Sequence, residues 1–291
     1  MSISNWFETF NKNLRMSTET VDKIAYRYKR ITKQLNKDFW ASESDTLHSL
    51  YVGSYGRGTE IHTSDIDMIM TLPFEVYDKY NKYASNGQSS LLQAVKKSIE
   101  NTYKPTYIRA DGQVIKLDFT DGICFEVVPG FLNKDKSYTF PDANNGGKWR
   151  TTNPRPEIDE LTKANTNCNK NLKRLCRMAR AWKQTWDVPI GGLLIDTLAY
   201  NFLKNYTYKD KSYLYFDYIS RDFFAYLKDQ RADQEYWLAV GSNQYVYKKG
   251  NFQYKALRCY NIALEAIAKE KDYPTTAKSK WREIYGTKFP S

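Results

Sequence analysis

The stretch "VGSYGRGTEIHTSDIDMIM", residues 52–70, restricts this chain more than any other. An apolar run ends at Val52 and delivers Gly53 and Ser54 into a glycine-rich turn. Ten residues after Ser54, Asp65-Ile66-Asp67 opens a second apolar run. Strand alternation places Asp65 and Asp67 on one face, with Ile66 and Met68 on the other. Two carboxylates within about 4 Å repel by roughly 4 kcal/mol at an effective dielectric near 20, so stability alone does not explain the pairing. A divalent cation does, and hard oxygen ligands select Mg2+ or Mn2+. Two such ions about 3.5–4 Å apart clamp the attacking and leaving oxygens of a phosphoryl transfer. Glycine lets the backbone approach a ligand, and backbone N–H groups with the Ser54 hydroxyl suit phosphate oxygens.

Sites of this kind draw a third carboxylate from a neighbouring strand. The runs GQVIKLDF and ICFEVVPGF, joined by a TDG turn, read as a hairpin bearing Asp118 and Glu126. A two-residue turn at Asp121-Gly122 sets residue 117 opposite 126 and points Asp118 away from the face of Glu126. A three-residue turn brings both onto one face. The spacing leaves both open. His62 reads as a loop residue rather than a general base, because metal ions already activate a hydroxyl in such a site.

The flanking sequence is consistent with an intracellular globular enzyme. The 291 residues are 41% hydrophobic and 15% aromatic, which excludes a disordered chain. No apolar run approaches the roughly 18–20 residues of a membrane span. The N-terminal MSISNWFETFNKNL lacks the apolar core of a secretory signal. Cysteines 124, 168, 176 and 259 form no CxxC pair and have no histidines at zinc spacing. A reduced, cytoplasmic protein with no membrane association and no structural metal is expected. The net charge of +11 favours polyanionic partners.

Residues 17–40 read as a long helix capped by Ser17 or Thr18, with Val21, Ile24, Tyr28, Ile31, Leu35 and Phe39 forming one apolar stripe. Lys23, Arg27, Arg30 and Lys37 lie on another face. Residues 90–103 predict a helix and 133–156 a long loop. Beyond residue 156 the pattern is helical, at roughly 157–186, 192–206, 215–230, 253–270 and 275–285. Within 169–186, Lys170, Lys173, Arg174 and Arg177 share a basic face.

Apolar-Gly-Ser, a short spacer and Asp-apolar-Asp form the active-site pattern of the DNA polymerase β-like nucleotidyltransferases. The strings GSYGRGTEI…SDIDM, FEVVPGF, GGKWRTTNP and MARAWK narrow the likeness. Together they resemble the bacterial cyclic-oligonucleotide synthases related to cyclic GMP-AMP synthase and oligoadenylate synthase, the CD-NTases. The similarity runs to at least residue 205. It implies an α+β fold: a polymerase β-like nucleotidyltransferase core, residues 1–150, packed on a helical lobe, residues 151–291, with a long N-terminal spine helix packing on both. It implies NTP substrates, Mg2+ (or Mn2+), a monomer, and a cyclic di- or trinucleotide used as an antiphage alarm by a downstream effector.

By motif position, the resemblance makes Asp65 and Asp67 the first metal ligands and Glu126 the third, with Asp118 as the fallback. Gly53 and Ser54 then hold the donor triphosphate, joined by Arg180 and Lys183 from the helix ending MARAWK. Animal relatives are switched on by double-stranded nucleic acid, which makes Lys23, Arg27, Arg30 and Lys37 candidates for contact with an activating RNA or DNA. The alternative within the superfamily is a transferase that modifies an RNA end, a protein or a small-molecule hydroxyl. A nucleic-acid sensor with a vestigial site is a further alternative, disfavoured by the intact carboxylates.

Overall fold

The computed structural model describes residues 2–61, 65–103 and 107–291. In chain order, α1 (Ile3–Asn13) and α2 (Thr18–Trp40) precede β1 (Ser49–Tyr51), α3 (Gly53–Arg57), β2 (Ile66–Thr71), α4 (Phe74–Asn81) and α5 (Gly87–Glu100). Strands β3 (Tyr107–Asp111), β4 (Val114–Asp118), β5 (Cys124–Leu132), β6 (Tyr138–Asp142) and β7 (Lys148–Thr152) follow. Next come α6 (Pro154–Asn167), α7 (Asn171–Thr185), α8 (Gly192–Lys204) and α9 (Phe216–Lys228). A small hairpin of β8 (Tyr236–Leu238) and β9 (Tyr245–Tyr247) leads into α10 (Gln253–Lys269) and α11 (Pro274–Tyr285). The chain is α+β, and none of its described helices is long and apolar enough to cross a membrane.

Two compact units share this chain. A sheet unit comprises residues 17–56 and 63–155, and a helical unit comprises 1–16, 57–62 and 156–291. A single cut at residue 150 was expected. Instead α1 and residues 57–62 group with the helical unit, and the chain passes between units directly after Gly56.

In the sheet unit, strands run in the order β1-β2-β5-β4-β3, with β6 on β5 and β7 on β6. Only β2 and β5 pair in parallel; the other described ladders are antiparallel. The residues expected as a loop over 133–156 therefore hold two paired strands. Their shortness and the Asn-Gly-Gly turn between them mask the alternation. Ile66, Met68, Ile115, Leu117, Phe125 and Val127 are buried on one face of the sheet. Leu91, Leu92, Val95 and Ile99 of α5 are buried as well. Such alternation leaves the opposite face for polar groups.

Helix α2 forms where its stripe predicts. Ser17 caps it by accepting from the Thr20 N–H at 3.1 Å, which contributes about 1 kcal/mol. Ile24, Ile31 and Leu35 are buried, whereas Val21 is 39% exposed.

The helical unit buries a large aromatic core. Phe7 and Phe10 of α1 pack against Trp281, Tyr285 and Phe289 with ring centroids 4.8–6.5 Å apart. Each buried ring contributes about 1.5–3 kcal/mol by leaving water, which ties the N-terminal segment to α11. Helix α1 lies outside the helices expected above. The span 157–186 is two helices, broken where Asn169 and Lys170 take positive φ.

Candidate active site

The sheet's pairing register builds the site. Asp67 on β2 lies beside Glu126 on β5, and Glu126 lies beside Lys116 on β4, which pairs with Arg109 on β3. One row across four strands therefore reads Asp67, Glu126, Lys116, Arg109. Cys124 pairs with Asp118 two residues along, on the same face, and Asp65 precedes β2. The hairpin turn decides this parity. The Phe119 N–H donates to Ile123 O at 3.0 Å, so Thr120-Asp121-Gly122 is a three-residue turn, with Gly122 at φ +82°. Asp118 and Glu126 consequently share a face. Only Glu126 stands on the strand next to the aspartates; Asp118 is one strand further out.

Gly53 explains its own identity. It opens α3 at φ +60°, and a β-carbon there would lie 2.6 Å from Asp67 Cγ and overlap Oδ2. The Val52 N–H donates to Asp67 O at 2.9 Å and the Gly56 N–H to Val52 O at 2.8 Å. The glycine turn is thus folded directly against the second aspartate of the motif. Ser54, the next residue, sits in the first turn of α3.

Charge on this face is divided. The Lys116 ammonium lies 2.8 Å from Glu126 Oε1 and 3.7 Å from Asp111, and the bond to Glu126 raises its pKa. Arg109 lies 2.6 Å from Asp118 Oδ2. Hydrogen bonding from Cys124, with help from Arg109, holds the Asp118 carboxyl below its ordinary range. Burial, the Asp118 hydrogen bond and the surrounding carboxylates push the Cys124 thiol up to about 12. Asp65 moves the other way: partial burial and then the facing Glu126 raise its pKa. A cation among Asp65, Asp67 and Glu126 would relieve that repulsion, and their oxygens suit Mg2+ or Mn2+. The residues present fit such an ion. Among the described residues, no three metal-ligating side chains converge on one point.

A model of the Second Messenger Oligonucleotide or Dinucleotide Synthetase (SMODS) domain matches residues 1–165, more than half of the chain. The chain belongs to the SMODS family. This SMODS protein is 24% identical over 260 residues to a probable cyclic nucleotide synthase of Bacillus cereus, covering 81% of this chain and 74% of that relative. It superposes on Escherichia coli CdnC, solved in complex with a HORMA protein, with a TM-score of 0.70. That match has 14% identity and covers 99% and 98% of the two chains. The Vibrio cholerae cyclic AMP-GMP synthase DncV, a cGAS homologue, gives a TM-score of 0.63 at 14% identity, over 99% of this chain and 87% of DncV. The structural matches show the fold, which is that of the polymerase β-like CD-NTases; the family makes the SMODS protein a nucleotidyltransferase.

In the helical unit of the SMODS protein, one of the expected nucleotide contacts, Arg180, has partners within the fold. Arg180 is buried and bidentate to Asp196, at 2.6 and 2.9 Å, and it also donates to Gly192 O at 3.1 Å. Asp196 is fully buried and accepts in addition from Arg57 Nε at 2.8 Å and Thr59 Oγ1 at 2.9 Å. Arg57 reaches Glu157 at 3.4 Å, and Arg177 donates to Gly58 O at 2.6 Å and Glu60 O at 3.1 Å. Arg180 is therefore spent inside the fold, and the segment after the glycine turn is pinned by buried ion pairs. Sequence reasoning missed Asp196, because an acid inside an apolar helix carries no local sign of its distant partner, and Glu157, which reads as an ordinary first-turn acid of α6. Arg177 and Arg174 are likewise engaged, the latter with Asn169 O and Asn171 Oδ1. Lys183 differs. It is half-buried, and burial together with Lys249 and Arg180 lowers its pKa. Lys249 in turn approaches Gly191, the N-cap residue of α8.

The basic face expected on α2 is also largely committed. Arg27 is bidentate to Asp121 at 2.9 and 2.7 Å and covers the Phe119 ring at 4.0 Å. Arg30 donates to Thr102 O and Oγ1 and stacks over Tyr103. Lys23 pairs with Glu19 at 2.6 Å. Lys37 is exposed. His62 lies outside the described residues.

Proposed function

We propose that this chain condenses NTPs, with Mg2+, into a cyclic di- or trinucleotide, and that the product alerts a downstream effector in antiphage defence. The observation that carries this reading is the single row in which Asp67 and Glu126 stand side by side, beside Asp65 and backed by Gly53. In each round an acceptor hydroxyl oxygen bonds to the donor α-phosphorus, the bond to pyrophosphate breaks, and the hydroxyl proton departs to solvent. Mg2+, when bound, would neutralise the triphosphate and favour the acceptor alkoxide. Asp65, Asp67 and Glu126 would hold it. Gly53 keeps the backbone clear for the donor phosphates, and the Ser54 hydroxyl donates to them. Within the helical unit, Lys183 and Lys249 are crowded like charges that an anion relieves. Catalysis of this kind is mainly positioning and charge neutralisation.

With Arg27 and Arg30 committed to Asp121 and Thr102, nucleic acid along α2 is not proposed as an activator. The test is direct. Purified protein with Mg2+ and labelled NTPs should yield a phosphatase-resistant small molecule, and Asp65→Ala or Asp67→Ala should yield none. Label transferred to RNA or protein instead would support the alternative transferase.

A further inference from the structure

Lys116 stands in the same cross-strand row as Asp67 and Glu126, with its ammonium 2.8 Å from Glu126 Oε1. Both side chains are roughly a quarter exposed, so the pair faces the site and not the core. The second cation on this face, Arg109, is bonded instead to Asp118, a strand further from the aspartates. On this face Asp118 is thus bonded by Arg109 and Glu126 by Lys116.

We propose that Lys116 is a positioning residue that occupies Glu126 in place of a metal ion, so that the site loads Mg2+ weakly until a nucleotide triphosphate adds its own charge. This rests on the assignment of Asp65, Asp67 and Glu126 as the ligand set. Two effects have the same sign. A metal ion must first displace the ammonium from Glu126, and it then feels a positive charge a few ångströms away. At that separation, in a largely hydrated site, the loss of one positive charge should tighten divalent binding by about tenfold.

The test titrates Mn2+ against the nucleotide-free protein, following free Mn2+ by electron paramagnetic resonance, and repeats the thermal melt with and without Mg2+. Lys116→Met should bind Mn2+ about tenfold more tightly than wild type. It should melt lower without divalent ions and gain more from adding them. Lys116→Arg, which keeps the charge, should restore the wild-type affinity. Arg109→Gln, which removes a charge bonded to Asp118 one strand further out, should change the affinity by less than Lys116→Met. Unchanged or weaker binding in Lys116→Met, or an equal gain in Arg109→Gln, overturns the role of Lys116. If wild-type binding is indifferent to Asp67→Asn and Glu126→Gln, the ligand assignment itself fails, which is a separate result.

Discussion

Gly53 and Asp67 are in van der Waals contact with no room between them: a β-carbon at position 53 would lie 2.6 Å from Asp67 Cγ. The turn that is expected to receive phosphates and the carboxylate that is expected to hold metal are therefore one packed object. Gly53→Ala should displace the Asp67 carboxylate and lower synthesis by about a hundredfold, the loss that follows a roughly 1 Å misplacement. Gly122 is the comparison. It also has positive φ, but an added β-carbon meets nothing within 4 Å. Gly122→Ala should cost about 1 kcal/mol of stability and leave turnover intact. Thermal melts and initial rates on the two variants separate contact from backbone strain.

Arg180 and Lys183 lie three residues apart and should fail differently. Arg180→Met removes one of the two cations bonded to buried Asp196 and leaves Arg57 as the other, and it should appear as a lower melting temperature. Lys183→Met removes a half-buried cation with no carboxylate bonded to it. It should keep the melting temperature and raise KM for NTP about tenfold, the worth of one charge-assisted hydrogen bond. Melts paired with steady-state kinetics distinguish the two; an unchanged KM in Lys183→Met removes it from the nucleotide site.

Asp217, at the start of α9, is 3% exposed, and its Oδ1 has no hydrogen-bond partner. Burial, with Glu270 adding repulsion, pushes its carboxyl up to about 6. The folded form therefore binds the proton more tightly than the unfolded chain, and stability falls as pH rises through that range. At neutral pH the penalty is fully present, about 2–3 kcal/mol. Asp217→Asn should raise the melting temperature at neutral pH. The gain should shrink below about pH 6 and vanish near about pH 4. A melting difference that does not vary with pH would assign the effect to packing.

Much of the sheet-borne site was legible in the chain. Asp-Ile-Asp fixes its own parity, because alternation needs no partner, and the carboxylates do share a face. The expected third ligand was harder to place. Whether Asp118 joins Glu126's face depends on one residue of turn length, and TDG is compatible with either count until the Phe119–Ile123 pair is formed. The strands β6 and β7 were unreadable for a related reason: they are five residues each around a glycine turn, too short for a period to show. The fate of the arginines could not be read at all. Arg27, Arg30 and Arg180 look like solvent-facing charge in sequence, and their partners Asp121, Thr102 and Asp196 lie 94, 72 and 16 residues away. A basic stripe records where charge can go, and only folding records where it is spent.

The account stands most directly on what the protein makes when Glu126 is altered. Wild-type protein, Glu126→Gln and Asp118→Asn should each be incubated with Mg2+ and the four NTPs, treated with phosphatase, and the products weighed by mass spectrometry. Wild type and Asp118→Asn should give a cyclic di- or trinucleotide that keeps one phosphate per nucleotide through the phosphatase step, whereas a linear product loses its terminal phosphates, and Glu126→Gln should give none. A cyclic product from Glu126→Gln at the wild-type rate, or no cyclic product from wild type under any NTP combination, would contradict it.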